Sequence, residues 1–191
     1  MSLAELGMVP GKVETIERTA TYVNDPLAAF AQLCGEKPHA LLLESAEIDS
    51  KDNLQSLLMV DGALRFECRG QEVAIQALSA NGKGLLPLFM ENCPADLKCQ
   101  IVSETEITLQ CHSQTANLDE DSRLKSTSVF DVLRMVVKQI TPLRDHQHAV
   151  FLGGVFAYDL LATFEDLPEV EEGANDCADY VFYLAETLIT F

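Results

Sequence analysis

The chain has 191 residues, 48% hydrophobic and 23% charged, enough for one good core with room for two subdomains. Its 30 acidic and 13 basic residues give a formal net charge of −17; such a field repels phosphate backbones, and no Lys/Arg cluster offsets it. Nucleic-acid binding is excluded on that ground, and a membrane-spanning helix because the longest apolar stretches, Leu85–Met90 and Val150–Ala157, are too short.

The N-terminus has no basic region followed by an apolar run, so no secretory signal is visible and the cytoplasm is the expected location. Residues 1–14 read as a flexible N-terminus or tag remnant, and 15–191 as the folded region. Strand formers at Thr15–Tyr22 predict a first strand. Asp25 as cap, Pro26 at the first position and Gly35 as stop delimit a helix with Leu27, Phe30, Ala31 and Leu33 on its apolar side. After Pro38, His39–Glu44 reads as a buried strand.

A meander is expected next. Asp61-Gly62 between Leu57–Val60 and Ala63–Cys68 is a hairpin signal, and Arg69-Gly70-Gln71 turns the chain into Glu72–Leu78. Asn81-Gly82 is read as ending that strand, and Pro87 as limiting a helix at Leu85–Asn92 to its first turns. Strands follow at Lys98–Val102 and Glu106–Cys111, then a polar connection at Ser113–Lys125. Ser128 and Asp131 open the best helix, whose stripe is Val129, Leu133, Val136, Val137 and Ile140; Thr141-Pro142 ends it. Val150–Tyr158 and Tyr180–Phe191 read as strands, separated by an acidic loop at Glu165–Glu172. The irregular interleaving and tight turns predict an α+β fold, a mixed and largely antiparallel sheet with a few packed helices. The last run, Ile189-Thr190-Phe191, leaves an uncapped apolar strand, which suggests a chain cut short.

Motifs for chemistry are few. Phosphate-loop, nucleophile-elbow and zinc-protease patterns are absent from the sequence. Gly153-Gly154 reads as close backbone packing within a strand, and Asp159 as a turn cap. The six cysteines have no C-x-x-C pair and read as reduced thiols, several of them packed inside; His146-x-His148 is a weak metal motif in a loop-like stretch. No catalytic or metal-binding residue is assigned. Leu41-Leu42-Leu43-Glu44-Ser45 drives an apolar strand into an acid and a hydroxyl, a way of presenting hydrogen bonds to a ligand at a sheet edge. From the pattern alone, a solvated Glu44 and a Ser45 that caps the following segment are the favoured reading.

Leu41–Ala46 followed by Ile48–Lys51 resembles the N-terminal motif of anthranilate synthase component I, one of the chorismate-utilising enzymes. The similarity continues in the family's order through Ile75–Ser79, Leu118–Leu124, Ser128–Asp131, Gly153–Asp159, Phe164–Pro168 and Tyr183–Leu188. The resemblance implies part of the larger chorismate-binding enzyme fold. The parent enzyme converts chorismate to anthranilate with ammonia from a glutamine amidotransferase partner, and Mg²⁺ holds chorismate in a C-terminal catalytic domain. This chain then corresponds to the N-terminal regulatory domain, inactive alone, that helps bind L-tryptophan as feedback inhibitor.

Carried over by position, the family's pocket falls on Leu43, Glu44 and Ser45. A basic residue further along matches Gln55 here, a departure from the family pattern, with Lys51 one turn earlier if that segment is helical. Glu44 would accept from the tryptophan ammonium and Ser45 would serve either charged end. The alternatives are aminodeoxychorismate synthase component I, which shares the fold, a stand-alone amino-acid-binding regulatory domain, and an acidic interaction protein.

Overall fold

The computed structural model describes residues 9–44, 55–111, 126–158, 160 and 176–191. In chain order its elements are β1 (Lys12–Val13), α1 (Pro26–Leu33), β2 (Leu41–Glu44), β3 (Ser56–Arg69), β4 (Glu72–Ala77), α2 (Ala80–Glu91), β5 (Leu97–Ser103), β6 (Glu106–Cys111), α3 (Val129–Gln139), β7 (Thr141–Pro142), β8 (Leu152–Phe156) and β9 (Tyr180–Thr190). Seven strands form one antiparallel sheet in the order β5-β6-β4-β3-β9-β8, with β2 also on β3; β1 and β7 make a small parallel pair. The fold is α+β, as the interleaving of elements predicts.

The 14-residue β3 is the spine. One edge pairs with β9 along its whole length. The other edge is shared end to end, by β2 at Ser56–Met59 and by β4 at Leu64–Arg69. The expected hairpin at Asp61-Gly62 is therefore wrong. A two-residue Asp-Gly turn needs a left-handed φ at both positions, and Gly62 lacks it. The residues instead form an irregular, bulged stretch against β9, with register shifts between Met59 and Leu64. The long-range ladder to β9 overrides the local turn signal. Gly70, by contrast, takes φ 58° in the tight turn between β3 and β4.

Three further expectations are corrected. No strand forms at Thr15–Tyr22; Ile16 and Tyr22 are largely exposed, and strand-forming residues gain little without a neighbouring pleated surface. Asn81-Gly82 lies in the first turn of α2, where the Ser79 hydroxyl accepts from the Gly82 N–H. That helix also carries Pro87 inside rather than being limited by it. Packing explains the tolerance: Leu86 and Phe89 on either side of the proline are buried in the core. Gly82 is required there, since a Cβ would sit 1.9 Å from the Ala63 carbonyl oxygen.

The helices α2 and α3 cover one face of the sheet. Leu64, Phe66 and Cys68 of β3, Val73 and Ile75 of β4, and Ile107 and Leu109 of β6 meet Leu86 and Phe89 of α2 and Val129, Val132 and Val136 of α3. Phe66 and Phe89 pack edge to face, ring centroids 6.3 Å apart. The buried Tyr180 hydroxyl donates to the Val129 carbonyl at 2.8 Å, pinning the start of α3 to β9, and burial holds its proton well above the usual phenol range. Asp131 closes the same helix end by accepting from the Ser128 N–H at 2.8 Å. A smaller cluster lies under α1, where Ala29, Cys34 and Leu58 are buried with Leu42, Val60, Ile189 and Phe191 around them. The stretches read as a connection at 113–125 and an acidic loop at 165–172 lie outside the described residues.

Candidate functional site

Of the predicted effector residues, the three that are described lie where β2 ends and β3 begins. Asp25 caps α1 by accepting from the Ala28 N–H at 2.9 Å, Pro26 opens the helix, and Gly35, at φ 54°, follows it. The chain then passes Lys37-Pro38 and reaches His39, the one non-glycine residue with a left-handed φ (66°) among those described. Four residues pair with β3: Leu41 with Met59, Leu42 with Leu58, Leu43 with Leu57 and Glu44 with Ser56. Strand alternation turns Leu42 toward α1 and turns Leu41 and Leu43 to the opposite face. The three leucines are half-buried rather than fully buried, because β2 lies at the rim of the sheet.

Glu44 is exposed, and so is Gln55, the residue before β3. The Glu44–Ser56 pairing brings these two polar positions to the same rim. The end of β9 arrives there too: the Ser56 carbonyl accepts from the Phe191 N–H at 3.0 Å, and the Phe191 carbonyl accepts from Ser56 at 3.4 Å. Leu43, Glu44 and Gln55 are thus brought together; Ser45 and Lys51 lie outside the described residues. Alternation puts Glu44 on the face of Leu42 and Leu43 on the other, so a carboxylate and a half-buried leucine meet at the end of the strand, where an ammonium and an apolar body can be taken together. A shallow recess elsewhere, between the end of α2 and α3, is lined by Asn92, Pro94, Thr127, Met135 and Gln139 and shares nothing with this rim.

The approach to β2 is fastened by groups that the sequence pattern does not single out. Lys37 pairs with Asp61 in the bulge of β3, and that hydrogen bond holds the Asp61 carboxyl below the usual carboxylate range. His39 Nδ1 lies 3.3 Å from the Tyr183 hydroxyl of β9, with ring centroids 5.7 Å apart. Burial, then the positive charge of Arg65, lowers the His39 pKa. Two of these contacts span more than 20 residues of sequence, so no local pattern could have revealed them.

Of the remaining motifs, Asp159 lies outside the described residues and the glycine pair is packed within the sheet. Gly153 and Gly154 lie in β8; a Cβ on Gly154 would meet the Val181 carbonyl oxygen at 2.2 Å, which is the close backbone packing their pattern predicts. Cys34, Cys68 and Cys111 are buried, and all six cysteines are free; burial pushes the Cys68 thiol up to about 12 and the Cys111 thiol to about 11, which keeps both protonated. His146 Nδ1 accepts from the His148 N–H at 3.2 Å. Among the described residues no group of three or more His, Cys, Asp and Glu side chains is placed to hold a metal ion, and no helix is long and apolar enough to cross a membrane.

No family model matches the chain. Against curated proteins, it is 48% identical over 177 residues to anthranilate synthase component 1 of Salmonella typhimurium, covering 93% of this chain and 34% of that protein. The same-named protein of Vibrio parahaemolyticus is 46% identical over 179 residues, 94% of this chain and 33% of its own length. That of Escherichia coli is 46% identical over 177 residues, 93% and 34% respectively. The chain spans about a third of the length of these relatives. Over that third the resemblance to anthranilate synthase component I is nearly end to end.

Proposed function

We propose that this relative of anthranilate synthase component 1 is the tryptophan-sensing N-terminal region of such an enzyme, and that it has no catalysis of its own. The observation that carries the reading is identity of 46–48% along 93–94% of the chain, matched to only a third of each relative. The relatives share one name, and nothing favours aminodeoxychorismate synthase or a free-standing regulatory module. In the longer enzyme the remaining polypeptide converts chorismate to anthranilate, with ammonia from a glutamine amidotransferase subunit. Mg²⁺ is assigned to that remainder, as the resemblance implies. The cytoplasm is the proposed location.

Within this reading, the rim at Leu43, Glu44 and Gln55 forms one side of the effector cleft, with Ser45 and Lys51 beside it in sequence. Glu44 accepts from the tryptophan ammonium, and the leucine edge takes part of the indole. Charge-assisted hydrogen bonds of this kind contribute about 1.5–3 kcal/mol each, enough to set specificity. Gln55 stands where the family pattern has a basic residue, so an amide N–H rather than a cation meets the carboxylate from that position. Feedback follows as linkage: tryptophan favours the arrangement that binds it, chorismate favours the other, and each weakens the other's binding by the same factor.

Photolabelling tests the placement. The complete enzyme is irradiated with a photoreactive tryptophan analogue, and adducts are mapped by peptide mass spectrometry. Labelling of the segment 41–55, competed by free tryptophan, is expected. Competable labelling confined to other segments would remove this rim from the effector cleft.

A further inference from the structure

The β2 strand has only four paired residues, three half-buried leucines and the exposed Glu44, yet its position is fixed from three directions. On the β3 edge it has its ladder. Before it, Lys37 is tied to Asp61 in the bulge. Across the sheet, on the face away from α1, two contacts skip over β3. One is His39 to Tyr183 of β9. The other is Leu41, whose Cδ2 lies 2.8 Å from where a Cβ of Gly153 in β8 would be. In sheet order β8 lies beyond both β3 and β9, so a contact from β2 to β8 requires this half of the sheet to curl into a trough. Met59, 1% exposed but outside both helix-covered clusters, sits on the same face as its partner Leu41.

We propose that His39 and Tyr183 form a latch that holds β2, the strand of Leu43 and Glu44, across the trough, and that the latch is closed when His39 is neutral. The geometry gives each part a task. The left-handed backbone at His39 turns the chain so that its ring meets Tyr183 while the next residues enter the ladder. Neutral His39 and the Tyr183 hydroxyl share a hydrogen bond at 3.3 Å, donated by Tyr183 or by Nδ1 according to the imidazole tautomer. The charged group facing His39 is Arg65 of β3, itself paired with Glu67; β9 presents the uncharged Tyr183 hydroxyl. A second positive charge beside Arg65 in a partly desolvated site is unfavourable, in keeping with the lowered pKa of His39. The unfolded or released segment therefore binds the proton more readily, and the latch weakens as pH falls through about 6.5 and below. Gly153 leaves the room that Leu41 occupies, which adds a steric half to the latch.

This inference deepens the effector-strand reading and rests on it for its meaning in regulation. Its test needs no tryptophan, so the two can fail separately. Amide hydrogen exchange of the 191-residue chain is followed for Leu41–Glu44, with Phe66 and Ile75 in the core as internal references, from pH 7.5 to 5.5. After correction for intrinsic rates, the wild-type strand should lose protection on acidification while the references do not. Tyr183→Phe should lower β2 protection by about fivefold at pH 7.5, the equivalent of one ordinary hydrogen bond. His39→Gln should remove the pH response, and Arg65→Gln should shrink it, because losing the positive charge narrows the gap between the folded and released His39. A pH-independent wild-type strand, or a Tyr183→Phe strand as protected as wild type, overturns the proposal. So does loss of protection in Phe66 and Ile75 equal to that in β2, which would mark Tyr183 as a general core residue.

Discussion

The two ends of β3 live in different surroundings. From Leu64 to Cys68 its inward side chains are fully buried under α2 and α3, flanked by β4 and β9, with polar ends such as the Tyr180 hydroxyl satisfied. From Ser56 to Val60 it lies beside the short β2 and under the two-turn α1, in a cluster with three buried members. The comparison separates what folds the chain from what is available to respond. Apolar burial at about 25 cal/mol per Å² accumulates at the first end, whereas the second is held by a few contacts that can open at modest cost. The rim of Leu43 and Glu44 lies at this second end.

Truncations at the two ends should give the largest contrast. Phe89→Ala empties a fully buried position against Phe66 and should cost about 3–5 kcal/mol in chemical denaturation. Leu42→Ala, at a half-buried position under α1, should cost about half of that or less. Equal losses would mean that the rim is as much a part of the core as α2 is. The glycines sharpen the contrast more finely. Gly82→Ala drives a methyl into the Ala63 carbonyl and should destabilise by about 1–3 kcal/mol or more. Gly153→Ala meets only the tips of the Leu41 and Phe151 side chains, which can swing away, so its stability loss should be smaller. If thermal melts rank the two in the opposite order, the trough is more rigid than the core side.

The sequence signals that succeeded are those whose physics is local. Asp25, Pro26 and Gly35 delimit α1 because capping and backbone preferences act within one turn. Ser128 and Asp131 mark the start of α3 for the same reason. The failures lie where tertiary pairing decides. Asp61-Gly62 carries a strong hairpin pattern, yet the β9 ladder, supplied by residues more than 120 positions later, holds it extended. Asn81-Gly82 reads as a strand stop, yet a glycine is needed there to let α2 approach Ala63.

At the candidate site, Leu43 and Glu44 could be chosen from an apolar run meeting an acid, and the family resemblance gave that choice its ligand. Their neighbourhood with Gln55 follows from a strand register that composition does not encode. His39 and Tyr183 could not be paired from the sequence at all, being 144 residues apart.

The account turns on whether the acid at the end of β2 reports tryptophan to the rest of the enzyme. The direct measurement is the tryptophan inhibition curve of the complete enzyme carrying Glu44→Lys, with Ser45→Phe as companion. Half-inhibition should require at least about tenfold more tryptophan, equivalent to about 1.4 kcal/mol, with turnover in its absence unchanged. Inhibition curves that superimpose on the wild type for both variants would contradict it.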